Sequence, residues 1–337
     1  MATLAQDDVK VFHRPSVSIV IPARNEENNI SRLEAELLAV VDPLPYACEF
    51  IVVDNDSEDR TGELVKAICA RDPRWKYVRF SRNFTGEMSI TAGYHLATGE
   101  AIIVLYSDLQ DPPEVIPKFL EKWREGYDVV YGVRTVRPGE PFWKNLAAHW
   151  AYRIVAWTSD VPIPTDTGDF RLITRQVRDA LEQCGEYNRY MRGLIAWLGF
   201  RQVGVPYERR ARIAGKSQSP FWHLVFFTLN AMTSFSLKPL RLFTLLGLAV
   251  LFCSGIAVCV FLGLYLSGSR PPGITTLIML LCVAIGLNSL GIGVLGEYLG
   301  RTYAEVKRRP LYVIKETVNL PSLVLGHEWS QPTLQNV

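Results

Sequence analysis

The chain has 337 residues, enough for one large domain or two ordinary ones, and its formal net charge is +2 at pH 7. Its six cysteines show no Cys-x-x-Cys spacing, which argues against a disulfide framework and a zinc site. Cations crowd the stretch from Arg189 to Lys216, whereas residues 242–296 hold a single charge, Arg270, so the charge pattern indicates a membrane partner and no nucleic acid.

The first half of the chain alternates short β-branched runs with helical patterns, as a βαβ arrangement does. A strand is predicted at residues 17–21, followed by a helix with apolar residues at Ile30, Leu33, Leu37 and Leu38. Further strands are predicted in EFIVVDNDS, KYVRFSRN, EAIIVLYSD and DVVYGV, with helices between them. The expected fold class is α/β, with a mostly parallel, Rossmann-like sheet that binds ligands at the carboxyl ends of its strands.

The second half contains two uninterrupted apolar runs, Leu242–Leu266 and Gly273–Gly296. Each is about as long as the roughly 20 residues that a helix needs to cross a bilayer, so the runs predict a transmembrane hairpin. The alternative is a pair of buried core helices in a soluble protein. Before the hairpin, residues 221–238 mix large apolar side chains with polar ones, which predicts a helix lying at the bilayer surface.

Cations flank the two runs on both outer sides, at Lys238, Arg241, Arg301, Lys307, Arg308 and Arg309. Positive residues collect on the cytoplasmic side, so we expect a multi-pass protein of the cytoplasmic (inner) membrane with both flanks in the cytosol. The N-terminus lacks the apolar core of a signal peptide, in agreement. The predicted organisation is a cytosolic α/β domain (1–220), the surface helix (221–238), two spans (239–300) and a cytosolic C-terminal segment (301–337).

Carboxylates and amides follow the first two predicted strands, in PARNEE and DNDSED. Such groups suit hydrogen bonds to a base and a ribose better than they suit a phosphate. The sequence has neither G-x-G-x-x-G nor G-x-x-x-x-G-K-[ST], which excludes the common dinucleotide and P-loop motifs. Helix N-caps alone would explain Asn25 and one of the acids, and that alternative stays open.

A third strand end, VLYSDLQDPPE, carries Asp108, Gln110 and Asp111. Their oxygens are the hard ligands that Mg²⁺ or Mn²⁺ prefers. Because Pro112 and Pro113 start the next helix, we expect Asp111 to act as a cap. Asp108 is then the preferred metal ligand, and strand alternation would put Gln110 on the same side.

These motifs, together with SRNF, GVRTVRPGE, DTGDFRLI, RRARIAGKS and the two apolar runs, resemble the polyprenyl-phosphate glycosyltransferases of the GT-A, family 2 class. Dolichol-phosphate mannose synthase and bacterial undecaprenyl-phosphate sugar transferases belong to that class. The resemblance covers roughly residues 15–315 in order. It implies a GT-A catalytic domain, a nucleotide-sugar donor and a polyprenyl phosphate acceptor. Relatives usually carry Asp-x-Asp where this chain has Tyr106-Ser-Asp108, so one protein ligand of the metal is missing.

Roles for individual residues follow from the resemblance. The nucleotide would be held by Pro22, Arg24, Glu26, Asp54, Asp56, Arg82, Arg212 and Lys216. The metal on its diphosphate would be held by Asp108 and Gln110. The catalytic set would be Asp108, Arg134, Arg137, Asp169 and Arg171.

The arginines suit the phosphate of a lipid acceptor, because a guanidinium grips phosphate in a fork. This reasoning applies to Arg134, Arg137 and Arg171, and also to Arg209 and Arg210 shortly before the apolar runs. For the last two, attraction to anionic lipid head groups is the alternative.

The expected reaction is one displacement at the anomeric carbon, which inverts it. UDP-hexose and undecaprenyl phosphate are the expected substrates by analogy, with Mg²⁺ or Mn²⁺ as cofactor and a homo-oligomer as the assembly. The alternative, suggested by Tyr106, is a membrane-bound binding or scaffold protein with impaired catalysis.

Overall fold

The structure is a computed structural model that describes residues 16–135, 167–210, 238–267 and 273–320. The strands are β1 (Ser16–Ala23), β2 (Ala47–Asp54), β3 (Trp75–Phe80), β4 (Ala101–Val104), β5 (Val129–Arg134), β6 (Thr167–Thr174), β7 (Gln202–Tyr207) and β8 (Ile314–Val318). The α-helices are α1 (Glu27–Val41), α2 (Thr61–Arg71), α3 (Gly86–Leu96), α4 (Ile116–Arg124), α5 (Arg175–Glu182), α6 (Met191–Trp197), α7 (Lys238–Leu266) and α8 (Ile274–Lys307). The predicted surface helix lies outside the described residues, apart from Lys238, which begins α7.

The strands form one sheet in the order β7-β5-β6-β4-β1-β2-β3-β8. Pairing is parallel for β1 with β2 and β4, for β2 with β3, and for β5 with β7. It is antiparallel for β6 with β4 and β5, and for β8 with β3. The predicted α/β class and mostly parallel sheet are confirmed, although β6, β7 and β8 were not predicted.

Strand β1 shows how the sheet is covered on both faces. Val17, Ile19 and Ile21 belong to one buried cluster with α1, α2 and α4, whereas Val20 belongs to a second cluster with α3, α5 and α6. Alternation along a strand sends successive side chains to opposite faces, so one strand feeds both cores. The helices cover both faces of the sheet, so ligands can reach it at the loops that follow the carboxyl ends of the central strands.

Helix α1 packs on the sheet through Ile30, Leu33, Leu37 and Val41. These positions are three or four residues apart and form one stripe of the helix. The predicted stripe also included Leu38, which is only partly buried at the margin of the cluster. The buried face of α1 was therefore predicted correctly at Ile30, Leu33 and Leu37 and wrongly at Leu38, where the structure buries Val41 instead.

Helices α7 and α8 are long and apolar enough to cross a membrane over Phe243–Leu264 and Val283–Lys307. None of the first apolar window and only 6% of the second is buried inside the structure. The alternative of two buried core helices is therefore wrong. The helices approach each other closely at Gly291, where an added Cβ would lie 2.2 Å from Cζ of Phe243.

After α8 the chain returns to the sheet. Tyr312 stacks on Phe80 with ring centroids 5.2 Å apart, and β8 then pairs with β3. The Asn319 side chain donates to the carbonyls of Cys69 and Trp75, each at 2.9 Å. The predicted C-terminal segment is thus in part an edge of the α/β domain, which is discontinuous in the sequence.

Candidate active site

A cavity of about 420 Å³ opens where β1, β2 and β4 end. Its lining includes Pro22, Arg24 and Glu26 from β1 and the loop after it, and Tyr106 and Asp108 from the turn after β4. The lining also includes Arg134, Asp169, Arg192 and Arg209 from the other elements of the domain. The carboxyl ends of parallel strands and the mixed part of the sheet therefore meet at one site, as the fold predicts.

Backbone contacts between the first two loops hold Arg24 and Glu26 at the rim. The backbone N–H of Asn25 donates to Oγ of Ser57 at 3.0 Å. The side-chain Oδ1 of Asn25 accepts from the backbone N–H of Glu58 at 2.9 Å. Asn25 has φ +54°, a left-handed conformation that Asn tolerates. Its side chain ties two loops together, so the alternative of a simple helix cap is wrong for Asn25.

Asp54 and Asp56 are absent from the described residues that line the cavity. Asp54 is fully buried, where it accepts from Tyr77 Oη at 2.6 Å and from the Ser57 amide at 2.8 Å. Asp56 pairs with Arg79 at 3.1 Å. The residue between them, Asn55, does line the cavity. The two acids support the loop, and the sequence did not single out Asn55.

The turn after β4 differs from the prediction. The strand ends at Val104, and Leu109 has φ +53°, so strand alternation does not extend to Gln110. Asp108 lines the cavity and accepts from the Gln110 amide at 3.2 Å, whereas Gln110 is buried and is not among the described lining residues. The described residues also contain no group of three or more His, Cys, Asp or Glu suited to a metal. Asp108 is left as the candidate protein ligand.

Asp111 does not cap a helix among the described residues, which corrects the prediction. A short 3₁₀ helix begins at Pro113 with Pro112 at the N-cap position, and Asp111 turns inward. It is 1% exposed and accepts a hydrogen bond from the Tyr207 hydroxyl. Burial this deep is tolerated because guanidinium groups lie nearby: its Oδ1 is 3.6 Å from Nε of Arg209 and 3.9 Å from Nη2 of Arg134.

Asp169 forms a short, two-pronged ion pair with Arg192 in the site. Arg192 donates to its two oxygens at 2.8 and 2.9 Å, and Tyr106 Oη donates at 3.3 Å. Burial raises the pKa of Asp169, but Arg192 and the more distant Arg171 and Arg134 outweigh it and hold that pKa well below its usual range. Asp169 therefore stays ionised. Sequence reasoning missed Arg192, which lies in no motif after a strand and whose only signal was the cation-rich stretch.

The remaining predicted arginines are placed differently. Arg134 lines the cavity and packs over Gly168, where an added Cβ would lie 2.3 Å from its Nη2. Arg171 is buried behind Asp169 and donates to the Gly168 carbonyl at 2.9 Å. Arg210 pairs with Glu36 and Glu114, each at 2.6 Å, on the outside of the domain. Among these three arginines, Arg134 lines the cavity, whereas Arg171 and Arg210 do not.

Arg82 lies outside the cavity, although it was predicted to bind the nucleotide. It sits over the Phe84 ring, 4.2 Å from the centroid, and lines a second cavity near the end of α8. Three other predicted site residues, Arg137, Arg212 and Lys216, lie outside the described residues.

Comparison with known proteins adds independent information. The family model for glycosyl transferase family 2 matches residues 18–181. The uncharacterized glycosyltransferase YkcC of Bacillus subtilis is 41% identical over 307 residues, which are 90% of this chain and 94% of that protein. An uncharacterized glycosyltransferase of Synechocystis is 40% identical over 92% of this chain and 98% of its own length. A prophage bactoprenol glucosyl transferase homolog of Escherichia coli is 37% identical over 89% of this chain and 98% of its own length.

Proposed function

Because the chain belongs to glycosyltransferase family 2, we propose that it transfers a sugar from a nucleotide-sugar, UDP-hexose, to undecaprenyl phosphate at the cytoplasmic face of a membrane. One observation carries the proposal. The cavity that contains Asp108 is walled by arginines, and the same chain has two exposed helices apolar enough to span a bilayer. A relative named for bactoprenol glucosyl transfer supports the lipid acceptor.

The donor is proposed to bind along the ends of β1, β2 and β4. Pro22, Arg24 and Glu26 line the cavity there, with Asn55 beside them. Asp54 and Asp56 would act indirectly, because the hydrogen bond of Asp54 and the ion pair of Asp56 shape the loop that carries Asn55. Glu26 is the carboxylate on this edge, and a carboxylate oxygen suits the hydroxyl groups of a ribose.

The residues present fit a divalent cation on the donor diphosphate. Mg²⁺ and Mn²⁺ sites often use one or two carboxylates, with substrate phosphates and waters completing the shell. Asp108 supplies one such carboxylate in the cavity. When bound, the cation would neutralise charge on the departing nucleoside diphosphate. Asp108 would hold it, and the Gln110 amide would orient Asp108 through the hydrogen bond described above.

The acceptor phosphate is proposed to meet the arginine wall. A phosphate monoester has its second pKa near ~6, so it is largely ionised at pH 7 and needs orientation more than deprotonation. Arg134, Arg192 and Arg209 line the same cavity as Asp108. A single displacement with the donor held on one side and the acceptor on the other inverts the anomeric carbon. Asp169 acts by fixing Arg192.

A transfer assay tests this function. Membranes containing the protein would be incubated with a panel of UDP- and GDP-sugars and undecaprenyl phosphate, and the glycolipid identified by mass spectrometry. We expect one hexosyl undecaprenyl phosphate, formed from UDP-hexose with release of UDP. Its formation should stop when Mg²⁺ and Mn²⁺ are chelated. A protein that released no nucleotide with any donor would instead fit the scaffold alternative.

The orientation has its own test. In a chain without native cysteines, Ser267→Cys lies between the two apolar helices, and Lys307→Cys lies at the last residue of α8, beyond the predicted spans (239–300). An impermeant thiol reagent added to intact cells should label the first and not the second. The reverse pattern would place the active site outside the cytosol, and cross-linking of the same membranes would report the proposed homo-oligomer.

A further inference from the structure

Helix α8 contacts the α/β domain through an acidic side chain near its end. Both carboxylate oxygens of Glu305 accept from the backbone N–H of Tyr187 at 2.9 Å, and its Oε1 also accepts from the backbone N–H of Asn188 at 3.5 Å. Tyr187 and Asn188 belong to the α5–α6 loop, residues 183–190, which joins those two helices. The function proposed above does not use Glu305.

The α5–α6 loop is held together by contacts within the loop. Arg189 is only 9% exposed, and its Nε and Nη2 donate to the carbonyls of Glu186 and Cys184 at 3.2 and 2.6 Å. Breaking these bonds would leave buried polar groups unpaired, so the loop resists local opening. A displacement of residues 187–188 would therefore be passed on to the start of α6.

The start of α6 carries a residue of the catalytic cavity. The helix begins at Met191, and its second residue, Arg192, lines the cavity and donates to both oxygens of Asp169 at 2.8 and 2.9 Å. The four residues of chain from Asn188 to Arg192 span at most about 14 Å. Glu87 on α3 accepts from the backbone N–H of Met191 at 3.4 Å, so α6 keeps a contact with the domain when Glu305 is removed.

The place of Glu305 along α8 puts this contact on the aqueous side of a membrane. The candidate span extends to Lys307, but its apolar run ends at Gly296. Glu305 lies nine residues further on, roughly 13.5 Å along the helix axis at 1.5 Å per residue. The polar layer on each side of the hydrocarbon is about 5–7 Å thick. A spanning α8 would therefore fix how far the α5–α6 loop stands above the lipid head groups.

We propose that Glu305 is a positioning residue, which ties the membrane helix α8 to the α5–α6 loop and thereby places Arg192 to bind the phosphate of the lipid acceptor. An acceptor anchored in the bilayer presents its phosphate within a narrow range of heights. An arginine that meets this phosphate must be held at a matching height, and a guanidinium binds phosphate well only in the right orientation. The inference rests on the proposed function, which assigns Arg192 to the acceptor.

A binding experiment tests the role of Glu305. Full-length protein in phosphatidylcholine nanodiscs would be titrated with farnesyl phosphate, a short polyprenyl monophosphate, and separately with UDP, by calorimetry with empty nanodiscs subtracted. Glu305→Ala should weaken binding of farnesyl phosphate about fivefold to tenfold, less than loss of a charged hydrogen bond costs, because Arg192 remains. The affinity for UDP should stay constant. Glu305→Gln keeps one oxygen that can accept from Tyr187 and should give a smaller loss.

The sign of the effect separates positioning from bare charge. Removing a carboxylate would by charge alone tighten the binding of a nearby phosphate, whereas the inference expects weaker binding. Glu297→Ala is the matched control, because it removes the same side chain from the same helix about two turns earlier. There Glu297 pairs with Arg301 within α8 at 3.3 Å. This variant should bind farnesyl phosphate and UDP as the parent does.

A double-variant cycle tests whether Glu305 acts through Arg192. Arg192→Lys keeps the charge but loses the two-pronged geometry, so it should weaken farnesyl phosphate by itself. Adding Glu305→Ala should then cost less than about twofold more, because losses at coupled residues are not additive in free energy. A merely structural role of Glu305 would give multiplied losses and a lower affinity for UDP as well.

The outcomes separate the inference from the proposed function. Parent-like binding of farnesyl phosphate by Glu305→Ala would overturn the inference, as would an equal loss in Glu297→Ala or multiplied losses in the cycle. If the binding differences are found but the parent makes no glycolipid, the proposed function alone fails. A parent that binds no farnesyl phosphate would overturn both the inference and the proposed acceptor.

Discussion

The two sides of the catalytic cavity are built differently. On the side formed by β1, β2 and β4, functional groups follow directly after parallel strands, and backbone hydrogen bonds such as that of Asn25 place them. On the side formed by β5, β6 and α6, the charged groups come from distant parts of the chain, and ion pairs such as Arg192 with Asp169 place them. The first side should therefore keep its shape when a side chain is lost, and the second should not.

The largest effect is expected for Arg192→Ala, which tests the side held by ion pairs. It leaves the carboxylate of Asp169, 9% exposed, without its two-pronged partner. Removing one member of a buried pair costs about 3–5 kcal/mol, so both thermal stability in detergent and transfer should fall. Adding Asp169→Asn to Arg192→Ala should recover part of the stability. Equal stability of parent and single variant would show that the pair does not hold this wall.

Asp108→Asn tests the side built on backbone. The side chain is partly exposed in the cavity, so the melting temperature should change little. Transfer should fall about 100- to 1000-fold, the usual cost of losing an electrostatic stabiliser of the transition state. Rates would be measured across Mg²⁺ and Mn²⁺ titrations. Near-normal activity, or indifference of the parent to chelator, would contradict the role of Asp108.

Arg134→Ala should separate the acceptor from the donor. Loss of a charged hydrogen bond to phosphate costs about 1.5–3 kcal/mol, so the lipid concentration for half-maximal transfer should rise while nucleotide affinity stays constant. Arg210→Ala is the control, because Arg210 pairs with Glu36 and Glu114 outside the cavity. An unchanged lipid dependence in Arg134→Ala would remove Arg134 from the acceptor site.

Acid should weaken the packing around His95 on α3 before it weakens the ion pair of Asp169 with Arg192. Burial lowers the pKa of His95 on α3 to about 3, below its ordinary 6.5, so the unfolded chain binds the proton first and stability falls as pH drops below about 6.5. A loss of about 1–2 kcal/mol is expected at pH 5. Asp169, with its lowered pKa, remains ionised there, so the pair with Arg192 persists. His95→Gln should flatten the profile of melting temperature against pH between 5 and 7, and an unchanged slope would count against the assignment.

Tyr106→Phe should have the smallest effect. It removes one hydroxyl that donates to Asp169 at 3.3 Å, while Arg192 still holds both oxygens. A single hydrogen bond of this kind contributes about 0.5–1.5 kcal/mol, so transfer should fall less than about tenfold. A loss as large as that of Asp108→Asn would mean that Tyr106 touches the reacting groups.

The same division explains what could be predicted from the sequence. Strands β1 and β2 and the loops after them were predicted, because buried runs and the polar residues that follow them are adjacent in the chain. The apolar helices were predicted for the same reason. Asp108 was singled out as a candidate metal ligand from local pattern alone.

The other side depends on contacts that no local pattern contains. Strand β6 carries Asp169 and Arg171 in alternation with Phe170 and Leu172. The two charged side chains are nevertheless buried, and a strand's alternation does not predict a buried polar face. Arg192 gains its role only when α6 packs beside β6. The inward turn of Asp111 depends on Tyr207, far along the chain. Strand β4 ends at Val104, and the left-handed conformation of Leu109, which a β-propensity pattern does not show, turns the chain before Gln110.

The return of the chain to the sheet has a consequence for synthesis on the ribosome. Strand β8 follows α7 and α8 in the sequence, so a nascent chain that has emerged only as far as Leu266 leaves the edge of β3 open. Open edges recruit foreign strands. Both apolar helices must be synthesised before β8 can close that edge, so the sheet is completed only at the end of translation. A chain that stops before β8 would present the edge of β3 as the surface for chaperones to cover.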